Sequence, residues 1–276
     1  MANCMYCAHP AGFLKNSHAA CEKTHHDGVL LIRESVRKAL KGNMPLGDLR
    51  KLVMDVSASS KIPDIGVRGA IALGWKDAVD DYLQDGLIDA AEEQRLSALQ
   101  QAFSLTQQDL DAEGAYTRVA KAGVLRNLMQ GQLPARVSVA GGVPVNLQKG
   151  ESVIWAFRNV EMLEDKVQKE YVGRSQGMSF RIMKGVYYRV GGFKGRPVET
   201  THRIKVDTGM VIVTDRNIYF AGPSKSVRVP FNKIIAFNPY DDGVGIMRDS
   251  ANAKALVFVT GDGWFSYNLL VNVANI

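Results

Sequence analysis

Apolar residues recur at spacings of three and four through residues 28–132, the pattern of helices that bury one face. Val29, Ile32, Val36 and Leu40 form the first stripe, and a second helix is expected from 46 to about 56. Val67, Ile71, Trp75, Ala78 and Tyr82 form a third, with Gly86 suited to a left-handed stop. A fourth should open at Asp89, because Glu92 lies three residues on in the capping-box spacing, and it carries Leu96, Leu99 and Phe103. A turn with Thr106 and Asp109 leads to a last helix over about 112–130, with Gly131 and Pro134 beyond it. Four to six packed helices are expected.

Residues 133–150 hold Pro134, Gly141, Gly142, Pro144 and Gly150, which read as a linker. From Val153 the period changes to two. Strands are expected at 153–157, 178–183, 186–190, 210–214, 218–220, 227–231, 234–237, 244–247, 256–259 and 264–267. Asp215-Arg216-Asn217, Asp241-Asp242-Gly243 and Gly261-Asp262-Gly263 punctuate them as turns. Short strands without intervening helices predict an antiparallel barrel or sandwich. The expected fold class is α+β, with four segments: a metal module at 1–27, a helical domain at 28–132, the linker at 133–150, and a β-barrel domain at 151–276.

Composition narrows the class. With 46% apolar and 22% charged residues the chain is an ordinary globular one, not a disordered one. Apolar runs such as 29–32 fall far short of the roughly 18–20 residues of a bilayer span. The first 25 residues carry Cys, His and Lys where an export signal needs an apolar core. A cytoplasmic protein is expected, with peripheral membrane association left open. The net charge of +6 is local: residues 174–206 hold eight cations and one anion, Glu199. A general coat for nucleic acid would spread its charge more widely.

All three cysteines lie within the first 21 residues, as Cys4-x-x-Cys7 and His18-x-x-Cys21. The first pair suits a tight turn that aims two sulfurs at one ion. The second pair, three residues apart on a helix, faces one side. Four such ligands satisfy a closed tetrahedral zinc site, structural because no position is left for water. His25 and His26 are rivals to His18. The stretch resembles short zinc-ribbon or treble-clef modules in its ligand spacing.

Asp81, Asp85, Gly86, Ile88, Asp89 and Glu92 align with an EF-hand loop, but Leu83 stands where a third ligand belongs. Helix ending and capping explain these residues without calcium. This segment also resembles tellurite-resistance TerB-like helical domains, which share an aspartate-glycine-isoleucine turn. That resemblance implies a setting in bacterial stress or phage-conflict responses.

Residues 209–220, Gly-Met-Val-Ile-Val-Thr-Asp-Arg-Asn-Ile-Tyr-Phe, look like the hairpin of bacterial PH-like and GRAM-like domains, and Val229-Pro230-Phe231-Asn232-Lys233-Ile234 is similar to the strand that follows it. The resemblance spans about residues 150–276 and implies a non-enzymatic domain that binds lipid headgroups, peptides or proteins. The basic block interleaves Gly173, Gly177, Gly185, Gly191, Gly192 and Gly195 with Tyr187, Tyr188 and Phe193. Arg forks and bare glycine backbone suit phosphate oxygens. Candidate partner-binding residues are Arg181, Lys184, Arg189, Lys194, Arg196, Arg203 and Lys205. A solvated hairpin is the alternative, and aromatics among cations also suit single-stranded nucleic acid.

No Gly-x-Ser-x-Gly elbow, phosphate loop or dinucleotide fingerprint occurs. The reading is a non-enzymatic binding or adaptor protein with a structural zinc and a basic face for an anionic protein or lipid headgroup. The alternatives are a nucleic-acid-binding protein and a hydrolase whose site is assembled only in three dimensions.

Overall fold

Helix α1 (Ala19–Leu40) buries Ile32, Val36 and Leu40, the stripe that its spacing predicts. It is followed by α2 (Leu46–Ser59), α3 (Asp64–Tyr82), α4 (Ala90–Ala102), α5 (Gln107–Leu110) and α6 (Ala115–Met129). The computed structural model describes residues 2–13, 15–85, 87–134, 139, 141–175, 178–183, 186–190, 193–249 and 254–276, and the side chains of 85 and 166–202 lie outside that description. The chain divides into two compact units, 1–132 and 133–276.

In the first unit α1 and α3 run parallel. Arg33 Nε lies 2.5 Å from Asp77 Oδ2, and one turn further along both helices Arg37 Nε lies 2.6 Å from Asp81 Oδ2. Gly74 permits this approach, since a Cβ there would sit 2.4 Å from the Arg33 carbonyl oxygen. Trp75 fills the centre, 1% exposed, stacked on Tyr116 with centroids 6.3 Å apart. Ile71, Leu96, Leu99 and Leu110 close around it. Each such fully buried side chain contributes about 1.5–3 kcal/mol. The capping box at α4 forms as its spacing predicts: Glu92 N–H donates to Asp89 Oδ1 at 2.7 Å, and Asp89 N–H to Glu92 Oε2 at 2.9 Å. The expected last helix is shorter at its start. Glu113 at φ 52° and Gly114 at φ 71° separate a 3-10 turn, Ala112–Gly114, from α6.

The second unit holds β1 (Val153–Ser175), β2 (Met178–Met183), β3 (Val186–Val190), β4 (Phe193–Thr214), β5 (Asn217–Ala221), β6 (Ser226–Pro230), β7 (Ile234–Tyr240), β8 (Gly243–Arg248), β9 (Leu256–Val259) and α7 (Gly263–Ala274). Seven strands form one antiparallel sheet in the order β6-β5-β4-β1-β9-β8-β7. The α+β class therefore holds, but the expected closed barrel does not: among the described residues no ladder joins β6 to β7. Both edge strands carry a proline, Pro230 and Pro239, and proline has no N–H to give to such a ladder. The sheet nevertheless curls. Phe220 on β5 and Phe258 on β9 stack with centroids 5.9 Å apart, although β4 and β1 lie between their strands.

Residues 264–267, expected as a strand, begin α7 instead. Asp262 accepts the Phe265 N–H at 3.0 Å and so caps the helix where a turn was expected. Helix α7 packs against β7 and β8, and Phe265 meets Trp155 edge-on at 5.0 Å.

Strands β1 and β4 are far longer than expected. Beyond Glu164, where β1 leaves β9, the two pair only with each other among the described residues. Their ladder runs to Ser175↔Phe193, and β2 and β3 form a separate two-stranded sheet paired from Met178↔Val190 to Met183↔Val186. At about 3.3 Å per residue the β1–β4 ribbon beyond Glu164 spans roughly 35 Å.

Candidate metal centre and basic ribbon

Cys4 and Cys7 lie on a turn closed by the bridge Asn3↔Pro10. Cys4 N–H donates to the His9 carbonyl at 2.7 Å, and Ala8 N–H to the Cys4 carbonyl at 2.9 Å. Ala8 takes φ 60°, the left-handed value such a turn requires. His18 is the extended residue before α1, and Cys21 stands in the first helical turn. The four ligand atoms of Cys4, Cys7, His18 and Cys21 all lie within 4.8 Å of one another.

The surroundings of His18 favour one tautomer of the neutral ring. Its Nε2 lies 3.0 Å from the Pro10 carbonyl oxygen, which can only accept, and so suits the proton. Nδ1 lies 3.4 Å from Cys7 Sγ and 3.7 Å from Cys21 Sγ, on the side that faces the cluster. A backbone carbonyl behind a ligating histidine is the usual second partner of a metal site. His25 stays outside the cluster. Its ring packs on Tyr6 at 4.7 Å, and its Nδ1 is buried without a hydrogen-bond partner. Spacing could not choose between the histidines, because the Pro10 carbonyl that selects His18 comes from tertiary folding.

Cys4 and Cys21 are electrostatically unequal. Burial raises the Cys4 thiol, but N–H bonds from Tyr6, Cys7 and His18 outweigh it and bring the group to about 6. Burial, with hydrogen bonds to Cys7 and Cys4 and their charge, pushes Cys21 up to about 11. A cation among these sulfurs would favour their thiolate forms. The donor set and its spacing are compatible with such an ion.

The acidic turn is otherwise occupied. Asp81 bonds Arg37 bidentately and meets Lys41 Nζ at 2.9 Å; these contacts outweigh its burial and bring its carboxyl to about 2. Asp89 and Glu92 cap α4. Gly86 and the side chain of Asp85 lie outside the described residues.

Of the seven basic candidates, Arg203 donates to Asp165 Oδ1 at 3.1 Å and lies over the Tyr240 ring at 5.1 Å from its centroid. Lys205 Nζ lies 2.6 Å from Glu161 Oε1. Both stand at the base of the ribbon and already have carboxylate partners. Arg181 is on β2, Arg189 on β3, and Lys194 and Arg196 on β4, with side chains outside the description; Lys184 lies wholly outside it.

One residue that sequence reading missed is Glu151. It accepts from Thr214 Oγ1 at 2.5 Å, Asn217 Nδ2 at 2.8 Å, Tyr219 Oη at 2.7 Å and Gln148 N–H at 2.7 Å. The Thr214–Asn217 turn is thus tied to the start of β1 by this carboxylate and by that of Asp215, which accepts the Ser152 N–H at 2.9 Å. No helix among the described residues is long and apolar enough to cross a membrane. The chain matches no protein-family model and no curated protein.

Proposed function

We propose that the protein is a non-enzymatic binding or adaptor protein of the cytoplasm. In this reading zinc clasps its N-terminus, and a PH-like domain presents a basic ribbon to an anionic protein surface or lipid headgroup. The metal would hold the Cys4–Cys7 turn against α1 through Cys4, Cys7, His18 and Cys21, and it would leave no position for water. Seven antiparallel strands followed by a packed C-terminal helix support the PH-like or GRAM-like reading, and the helices of the first unit are compatible with a TerB-like one.

The observation that carries the binding role is the ribbon itself. Residues 171–198 hold Arg174, Arg181, Lys184, Arg189, Lys194 and Arg196 and no acidic residue. Unbalanced charge on a two-stranded arm costs stability through self-repulsion, and an anionic partner offsets it. The test reverses Lys184, Arg189 and Lys194 to Glu in the full chain and measures binding to vesicles containing anionic lipid and to co-purified proteins. Binding should fall and should weaken with salt in the parent protein. Unchanged binding to every probe leaves only a solvated hairpin.

A second reading, nucleic-acid binding, draws on the aromatic residues of the basic block. Tyr187, Tyr188 and Phe193 stand among these cations in the sequence, and aromatic rings interleaved with positive charge suit stacking on the bases of a single strand. A labelled DNA or RNA duplex and a single strand, added to the same experiment, distinguish the two.

A further inference from the structure

We propose that the metal clasp is also a peroxide-responsive thiol site, in which Cys7 and Cys21 become joined as a disulfide and the metal is released; this rests on the zinc reading above. The three sulfurs differ in access. Cys4 is 2% exposed and is bonded by the His18 N–H at 3.4 Å. Cys7 and Cys21 are half-buried, and both line an open cleft of about 260 Å³ whose other walls include Tyr6, Thr24, Ser60 and Lys61. The cleft is many times larger than a peroxide molecule, given that water occupies about 30 Å³ in the liquid. A small oxidant therefore meets Cys7 or Cys21 before Cys4.

The chemistry balances with hydrogen peroxide as the only added reagent. One thiolate sulfur attacks a peroxide oxygen, the O–O bond breaks, and the departing hydroxide takes a proton to become water. The resulting sulfenic acid is attacked at sulfur by the second thiolate, which forms the S–S bond and expels a second hydroxide. Two thiolates lose two electrons, and one peroxide with two protons becomes two waters. The sulfurs begin within 4.8 Å of each other, so the bond needs local movement only. Cys4 and His18 are then the sole remaining ligands, too few to retain a structural zinc. The new bond links the same two elements the metal linked, the Cys4–Cys7 turn and the first turn of α1. The segment stays tethered after the ion has gone.

The experiment uses the zinc-loaded full chain. Metal content is measured first, so a failure of the zinc reading is seen before any oxidant is added. Hydrogen peroxide is then titrated against a chromogenic zinc chelator, and the products are mapped by peptide mass spectrometry. The expected result is one zinc released per Cys7–Cys21 disulfide, with Cys4 still alkylatable after denaturation, and recovery on adding dithiothreitol and zinc. Zinc that stays bound under peroxide yet is released by denaturant overturns the proposal, as does a disulfide that contains Cys4. Thr24→Phe, at an exposed position of α1 that lines the cleft and is not itself a ligand, narrows the opening. It should keep full zinc content and slow the release several-fold; an unchanged rate contradicts the cleft as the route.

Discussion

Phe220 and Phe258 stack with ring centroids 5.9 Å apart and an interplanar angle of 16°, across a sheet in which two strands separate them. In a flat sheet three strand spacings of about 4.8 Å would hold them roughly 14 Å apart. The curl that brings them together makes a single concave core from β5 and β9. Truncating Phe220 to Ala should therefore cost about 3–5 kcal/mol and melt the sheet unit at lower temperature. Calorimetry of the full chain should show that transition moving while the helical unit's stays in place. A shift under ~1 kcal/mol would mean that the contact does not bear on the sheet's stability.

Glu151 joins residues 148–151 to the Thr214–Asn217 turn. Burial raises its carboxyl, and the bonds from Thr214, Asn217, Gln148 and Tyr219 outweigh that and bring it below the ordinary glutamate range. A depressed carboxyl stabilises the fold above its unfolded value of about 4.3, and the contribution is lost as pH falls through the folded value. Glu151→Gln should lower stability at pH 7 and flatten the acid limb of the unfolding curve. An acid limb identical to the parent's would remove this residue from the account.

Asp81 is committed to Arg37 and Lys41, and Leu83 supplies no oxygen at a ligand position. Calorimetric titration should show no calcium binding below millimolar concentration. Asp81→Asn should destabilise the helical unit above pH 4. The difference should shrink as pH falls below 4 and vanish once pH has passed through about 2, below which the parent's carboxyl is protonated as well.

Much of the helical unit was legible because its helices bury one face and so carry a period. Ile32, Val36 and Leu40 mark α1, and Asp89 with Glu92 fixes the start of α4. The ribbon was not legible over most of its length. Among the described residues no third strand flanks β1 and β4 beyond Glu164, so no wider sheet imposes a core-facing period on that stretch of sequence. The stretch 264–267 misled for another reason: apolar residues after Gly261-Asp262-Gly263 suit a strand as well as a helix, and the Asp262 cap decides it. The Cys/His cluster was legible by spacing, but the choice among the histidines depended on tertiary contacts such as that of His18 with the Pro10 carbonyl.

The central claim is that one zinc ion clasps residues 4–21, and elemental mass spectrometry of the full chain purified without chelator tests it most directly. One zinc per chain is expected, falling to near zero in Cys7→Ser with loss of order confined to the N-terminal segment and α1's first turns. Structural zinc in small modules contributes on the order of 10 kcal/mol, so the segment should not hold without it. A metal-free chain whose N-terminal amides remain protected from hydrogen exchange would contradict the account.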